Sequence, residues 1–166
     1  IRKKVIILKE CYKDWIDPKR MEPVESVDIS QLLKEIEILS ELTSYPKHFS
    51  HLNSKCYVKA NRRLLHTSIF ELIRNSIKYT DESLSGNSLV VSAQIEDNRV
   101  SITISDTAIS LTENFFEESS NPIMKQNGTH KGLHTTKKYI EDLGGSLMFV
   151  AKQPRGSLFT IILPAG

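Results

Sequence analysis

The sequence predicts an α/β (α+β) two-layer sandwich in which a mixed, mostly antiparallel sheet is covered on one face by helices. Three observations lead there. Strand-like and helix-like patterns run in the order β-α-β-α-β-β and then, after a long unpatterned segment, α-β-β, without the strand–helix alternation of a doubly wound sheet. Two apolar-rich runs, NSLVVSAQIED and NRVSITISD, are separated only by a short polar turn around Glu96 to Asn98, which makes them an antiparallel hairpin. Neither GxxxxGKS/T nor GxGxxG occurs, so the two commonest phosphate-binding loops are excluded.

From the N-terminus, Val5, Leu8, Tyr12 and Trp15 stand at helical spacing before Pro18, which reads as the end of a helix arriving from upstream; the VIIL run is an alternative strand. DPKRMEP, Asp17 to Pro23, is a linker by its two prolines and polar content, so residues 1–23 stand apart from one domain over 24–166. Ser26 to Tyr45 reads as a short strand and then a helix, with Ser30 as candidate N-cap. Ser54 to Ala60 alternates like a strand, and a helix follows from Asn61 to Tyr79. After the hairpin, periodicity is lost from Thr107 to Lys131 in a polar, Asn- and Ser-rich stretch. An unpatterned segment of that length in a compact domain is usually functional, and a lid suits it. A helix from Leu133, a Gly-Gly turn and two strands complete the chain.

The segment His66 to Thr80, HTSIFELIRNSIKYT, carries the chemistry. At about 100° per residue, Glu71, Asn75 and Lys78 fall within an arc of roughly 60°, flanked by Tyr79. Leu65, Ile69, Leu72, Ile73, Ser76 and Ile77 centre on the opposite side. An ordinary amphipathic helix with a solvated face has the same spacing, but a carboxylate, an amide and an ammonium on one front also suit a metal-bound polyphosphate. Mg²⁺ takes oxygen ligands and keeps several waters, so the Asn75 amide oxygen plus phosphate oxygens make a partial shell, with Glu71 holding a metal-bound water or acting as a base. Lys78 supplies a point charge for phosphate. Asn is a poor helix former, so its place in mid-helix asks for a reason beyond local stability.

ELIRNSIKYT closely resembles the N-box of the ATP-binding domain of bacterial sensor histidine kinases, within the GHKL ATPase superfamily (Bergerat fold) that includes gyrase-type topoisomerases and MutL. The resemblance continues in order over roughly residues 28 to 164. SITISDTAIS sits where the family has a strand ending in an Asp-x-Gly-x-Gly loop, and Phe115-Phe116 where it has a phenylalanine-containing lid. GTHKGLHTTKKYIEDLGGSLMF resembles the second glycine loop with its helix, and GSLFTIILP the closing strand.

The resemblance implies that Asp106 accepts a hydrogen bond from the adenine exocyclic amine; a lone Asp after a strand is otherwise a turn former or cap. It implies ATP contacts at Asn75, Lys78, Tyr79, Ala108, Gly128, Thr129, His130, Lys131, Gly132 and Leu133, with Mg²⁺ at Asn75. Two departures stand out. Asp106-Thr107-Ala108-Ile109-Ser110 has lost both glycines of the first loop, at about 1 kcal/mol wherever φ must be positive. In GTHKGL, His130 replaces the middle glycine; His130 and Lys131 either contact phosphate or are solvated lid residues. The helix from Leu133 would aim its amides at the phosphates, while Leu133, Tyr139, Ile140 and Leu143 pack.

At 166 residues and 39% hydrophobic content, one sizeable core is expected. Basic and acidic residues balance, 22 against 20, so no nucleic acid partner is expected. Cys11 and Cys56 show no metal spacing and read as reduced thiols. No apolar stretch approaches the roughly 18 residues that span a membrane, so no membrane contact by this fragment is expected. Starting at Ile1 without Met, the chain reads as an excised cytoplasmic fragment whose parent is free to be membrane-bound. None of His48, His51, His66, His130 and His134 has the acidic and Arg-x-Pro surroundings of a phosphoacceptor, and His66 reads as structural. The resemblance therefore implies the catalytic half of a two-component kinase that moves the ATP γ-phosphate to a histidine on an absent dimerisation hairpin, with Glu71 as base and a response regulator downstream. The alternatives are a degenerate docking module, motivated by the missing glycines, and an anti-sigma-type serine kinase.

Overall fold

The computed structural model describes residues 23–40, 46–50, 55–81, 83–108 and 131–166. The expected upstream helix, nearly all of the linker, Phe115-Phe116, Gly128, Thr129 and His130 lie outside the described residues, as does the side chain of Lys131.

β1 (Glu25–Asp28) runs directly into α1 (Ile29–Ser40). Asp28 Oδ1 accepts from the Ser30 N–H (2.9 Å) and the Gln31 N–H (3.3 Å), so the helix is capped by Asp28 and not by Ser30 as the sequence suggested. The carboxylate serves two first-turn amides and sits at the positive end of the helix dipole. α1 buries Ile29, Leu32, Leu33 and Ile36, the spacing of one apolar face. β3 (Tyr57–Ala60) pairs antiparallel with β1 in a separate two-stranded sheet.

α2 (Arg62–Lys78) matches its predicted span to within a residue at each end. Asn61 caps it, its side chain accepting from the Leu64 N–H at 3.0 Å, and Tyr79 closes it, donating its N–H to Asn75 O at 3.1 Å. The predicted apolar back is buried except for Ile77, which is partly buried; His66, Ser68, Phe70 and Asn75 are buried as well. The helix is thus enclosed around most of its circumference, and of the predicted polar front only Lys78 is fully exposed.

The main sheet contains β2 (Lys47–Ser50), β4 (Leu89–Glu96), β5 (Arg99–Asp106), β6 (Ser146–Ala151) and β7 (Ser157–Pro164), in the order β2-β4-β5-β7-β6. Only β2–β4 is parallel, which makes the sheet mixed and mostly antiparallel as predicted. β2 was not expected: KHFS has one large apolar residue and no alternation, and it becomes a strand by pairing with β4. The β4–β5 hairpin turns through Asp97 (φ 49°) and Asn98 (φ 58°) between the pair Glu96↔Arg99. This is a two-residue type I′ turn, whose left-handed positions Asp and Asn tolerate. Val100, Ile102, Ile104 and Asp106 of β5 and Ser157, Phe159, Ile161 and Leu163 of β7 form the buried rows. Val90, Met148 and Val150 are exposed on the sheet.

α3 (Lys131–Asp142) lies against α2 and β6. It ends in a Schellman turn, with Gly144 at φ 75° and the Gly145 N–H bonded to Ile140 O at 3.0 Å. Tyr139 does more than pack: its hydroxyl donates to Asn61 O and accepts from the Asn61 N–H, both at 3.0 Å. The two helices are thereby latched where α2 begins. Burial pushes the Tyr139 phenol up to about 12, against the opposing pull of its bond to the Asn61 backbone.

Two consequences for stability follow. Tyr139→Phe keeps the ring and deletes both hydrogen bonds, which is expected to cost about 1–2 kcal/mol in urea unfolding; an unchanged midpoint would show that the latch contributes nothing. His66, fully buried beside Phe70, has its imidazole pushed down to about 4 by burial, with Glu35 opposing and Arg62 reinforcing the shift. Above about pH 6.5 the imidazole is neutral in both states. As pH falls from there toward 4, the unfolded chain takes up a proton that the folded chain refuses, so stability drops by about 3 kcal/mol. Wild type should therefore lose that much more than a His66→Phe variant between pH 7 and pH 4, and parallel pH profiles would contradict it.

Candidate functional site

Functional side chains converge at the carboxyl end of β5. Asp106 is the last residue of that strand, paired with Leu89. The chain beyond it is held by Thr107 N–H to Ser88 O (3.2 Å) and Ser88 N–H to Thr107 Oγ1 (2.8 Å). Lys152 Nζ donates to Asp106 O (2.8 Å) and Ser105 Oγ (2.9 Å), tying the β6–β7 loop to the same turn.

The Asp106 carboxylate is only 1% exposed, and burying such a group without donors would be prohibitive. Three donors are supplied. Oδ1 accepts from the N–H groups of Ala108 and Ser157, both at 3.0 Å, and Oδ2 from the Ser76 hydroxyl at 2.5 Å. The Ser157 bond depends on Gly156, which takes φ 110°; a Cβ there would collide with the Asp106 carbonyl oxygen. Ala108, in place of a glycine, is not among the residues of positive φ. The expected strain is therefore absent at that position, while Ser110 lies outside the described residues.

Asn75, Ser76, Tyr79, Asp106, Ala108, Ser157 and Phe159 line one small cavity. The predicted residues Asn75, Tyr79, Asp106 and Ala108 thus come together around it. Asn75 is 4% exposed, and its Nδ2 has no hydrogen-bond partner among the described residues. Rotation about the last side-chain bond exchanges the two amide ends, so either a donor or a hard oxygen ligand can be presented there. A buried amide with one end uncommitted fits Mg²⁺. Among the described residues no three His, Cys, Asp or Glu side chains cluster in a manner that could hold a metal, so phosphate and water oxygens would complete the shell.

Glu71, one turn earlier, is held by Arg74, whose Nη2 and Nε reach Oε2 at 2.5 and 3.1 Å. A Cβ on Gly132 would stand 3.2 Å from that same oxygen, so the start of α3 lies directly beside Glu71. Between the two helices is an open cleft of about 480 Å³, with Thr67, Ser68, Glu71, Gly132 and Thr136 among its walls. Lys78 is exposed, with Nζ 3.4 Å from the Tyr79 hydroxyl and 4.9 Å from its ring centre. The Leu133 side chain belongs to the core. Sequence reasoning missed Ser157 and Arg74, and took Ser76 for part of the apolar back. A hydroxyl in the middle of an apolar stripe was the available signal for Ser76; nothing local marks the other two.

Comparisons with known proteins give the family and the fold. Residues 60–166 match the family model described as histidine kinase-, DNA gyrase B-, and HSP90-like ATPase. The heme sensor protein HssS of Staphylococcus aureus (strain Newman) is 28% identical over an alignment of 147 residues that covers 84% of this chain and 31% of HssS. The chain thus spans about a third of the length of the curated relatives it matches. The catalytic domain of histidine kinase ThkA, in a nucleotide-free form, superposes with a TM-score of 0.74 at 21% identity, covering 86% of this chain and 98% of that one. Full-length ShkA in complex with AMPPNP superposes with a TM-score of 0.70 at 18% identity, over 88% of this chain and 32% of that one. With the family model covering residues 60–166, more than half of its length, the chain belongs to the histidine kinase-, DNA gyrase B- and HSP90-like ATPase family.

Proposed function

We propose that the domain, residues 24–166, binds Mg-ATP beside α2 and passes the γ-phosphate to a histidine on a dimerisation hairpin, from which a response regulator takes it. The observation that carries this reading is the Asp106 carboxylate, buried, held by three protein donors and lining a cavity with Asn75 and Tyr79. Asp106 accepts from the adenine amine, with Tyr79 and Ala108 beside the base. The Asn75 amide oxygen binds Mg²⁺, which when bound neutralises charge on the phosphates. Lys78, the residues Gly128, Thr129 and His130 that precede α3, and the start of α3 at Lys131, Gly132 and Leu133 attend the phosphates through side-chain charge, backbone amides and the helix dipole.

In the transfer an imidazole nitrogen bonds to the γ-phosphorus, the bond to the β–γ bridging oxygen breaks, and ADP leaves with that electron pair. Glu71 takes the imidazole proton, held in position by Arg74 on Oε2. Such chemistry asks mainly for positioning and charge neutralisation. The domain is read as cytoplasmic, in a parent free to be membrane-bound; among the described residues no helix is long and apolar enough to cross a membrane.

Asn75→Ala is expected to weaken Mg-ATP binding by tenfold or more in calorimetric titration, while binding in the presence of chelator changes little. Equal Mg-ATP affinity in variant and wild type would remove the metal assignment. With a histidine hairpin supplied in trans, the phosphoryl product should be acid-labile phosphohistidine; phosphoserine on a partner would favour the serine-kinase alternative instead.

A further inference from the structure

Ser76 has no part in the expected chemistry, yet it lies 97% buried on the side of α2 that faces Asp106. Its Oγ is 3.2 Å from Leu72 O, four residues back, and 2.5 Å from Asp106 Oδ2. The first contact is the ordinary helical alternative for a serine hydroxyl. The second is shorter, is made to a carboxylate, and joins a helix to the end of a strand 30 residues away. A carboxylate oxygen pair accepts about four hydrogen bonds. Here Ala108 and Ser157 occupy Oδ1 and Ser76 occupies one position on Oδ2. One acceptor position remains, on Oδ2, and both Ser76 and Asp106 line the cavity.

We propose that Ser76 is the positioning residue for base recognition: its hydroxyl fixes the Asp106 carboxylate so that a single acceptor position is left, matched to a purine that donates one N–H from its 6-position. This rests on the proposed nucleotide reading, with the small cavity as the place where the edge of the base meets Asp106. A 6-oxo purine would bring an acceptor against the carboxylate, and a purine with hydrogen at that position would leave the acceptor unpaired. Without the hydroxyl, Oδ2 has two acceptor positions and no side-chain tether to α2. Water then fills what the base does not, and the distinction between a 6-amino purine and its relatives weakens.

The test compares equilibrium binding of Mg-ATP with that of the Mg complex of purine riboside triphosphate, which lacks only the 6-amino group. In the wild-type domain a hydrogen bond to a carboxylate predicts a preference for ATP of roughly 10- to 100-fold. Ser76→Ala, a substitution mild for a helix, is expected to reduce that preference at least fivefold, and Ser76→Thr, which restores the hydroxyl, to recover it. Thermal unfolding of each variant checks that it is folded. If Ser76→Ala weakened both nucleotides equally and left the ratio unchanged, Ser76 would be structural only and the inference would be wrong. Were wild type to bind both analogues with equal strength, Asp106 would not read the 6-position and the inference would fail while nucleotide binding stood. Should wild type bind neither, the nucleotide reading itself would fall, and this inference with it.

Discussion

A carboxylate buried at the end of the central antiparallel strands sets the terms for the rest of this domain. Leaving Asp106 without partners would cost several kcal/mol, more than a domain of this size can spare. Its three donors come from three places in the chain: the turn after β5, the first residue of β7, and the middle of α2. To satisfy it, β7 must approach closely enough that only a glycine fits at 156, and α2 must lie across the sheet with Ser76 toward the strand end. The same constraint places Asn75 and Tyr79 beside the carboxylate, because they are neighbours of Ser76 on the helix. Core packing and site geometry are therefore one arrangement.

The second constraint is the junction of α2 with α3. Tyr139 is bonded to both backbone groups of Asn61, the residue that caps α2, and Gly132 abuts Glu71 one helical turn ahead of Asn75. Whatever binds at the start of α3 is thereby referred to the same helix that carries Asn75 and Lys78. Buried His66 lies on α2 between Asn61 and Glu71, and burial favours its neutral form, so stability is fully present near neutral pH and falls in acid.

Much of this was legible in the sequence, and the exceptions have physical causes. α2 was readable almost to the residue because its apolar period is clear over its length. The hairpin was readable because Asp97 and Asn98 tolerate the left-handed turn that a two-residue loop demands. β2 was not, since its strand state comes from pairing with β4 and not from its own composition. The cap of α1 moved from Ser30 to Asp28 because the carboxylate can reach two amides. Asn75 and Tyr79, far in the sequence from Asp106 and Ala108, line one cavity with them. What spacing could not show is that Asn75 is buried and not on a solvated face, or that Ser157 and Arg74 hold the two carboxylates. Those are facts of long-range approach and side-chain reach. The Ala108 substitution also reads differently in three dimensions: its φ is not positive, so it carries no left-handed strain, and what it adds is a Cβ in the cavity lining.

The central claim is that the domain binds Mg-ATP beside α2, with Asp106 and Asn75 in contact with it, despite the altered first loop. The most direct test is the melting temperature of the domain with and without 1 mM ATP, each with Mg²⁺ and with chelator. For a dissociation constant of about 10 μM, mass action predicts about 2.7 kcal/mol, or roughly 5–10 °C, and that shift should require the metal. No shift with any adenine nucleotide, with or without Mg²⁺, would contradict the account and point to a protein-docking role for the fold.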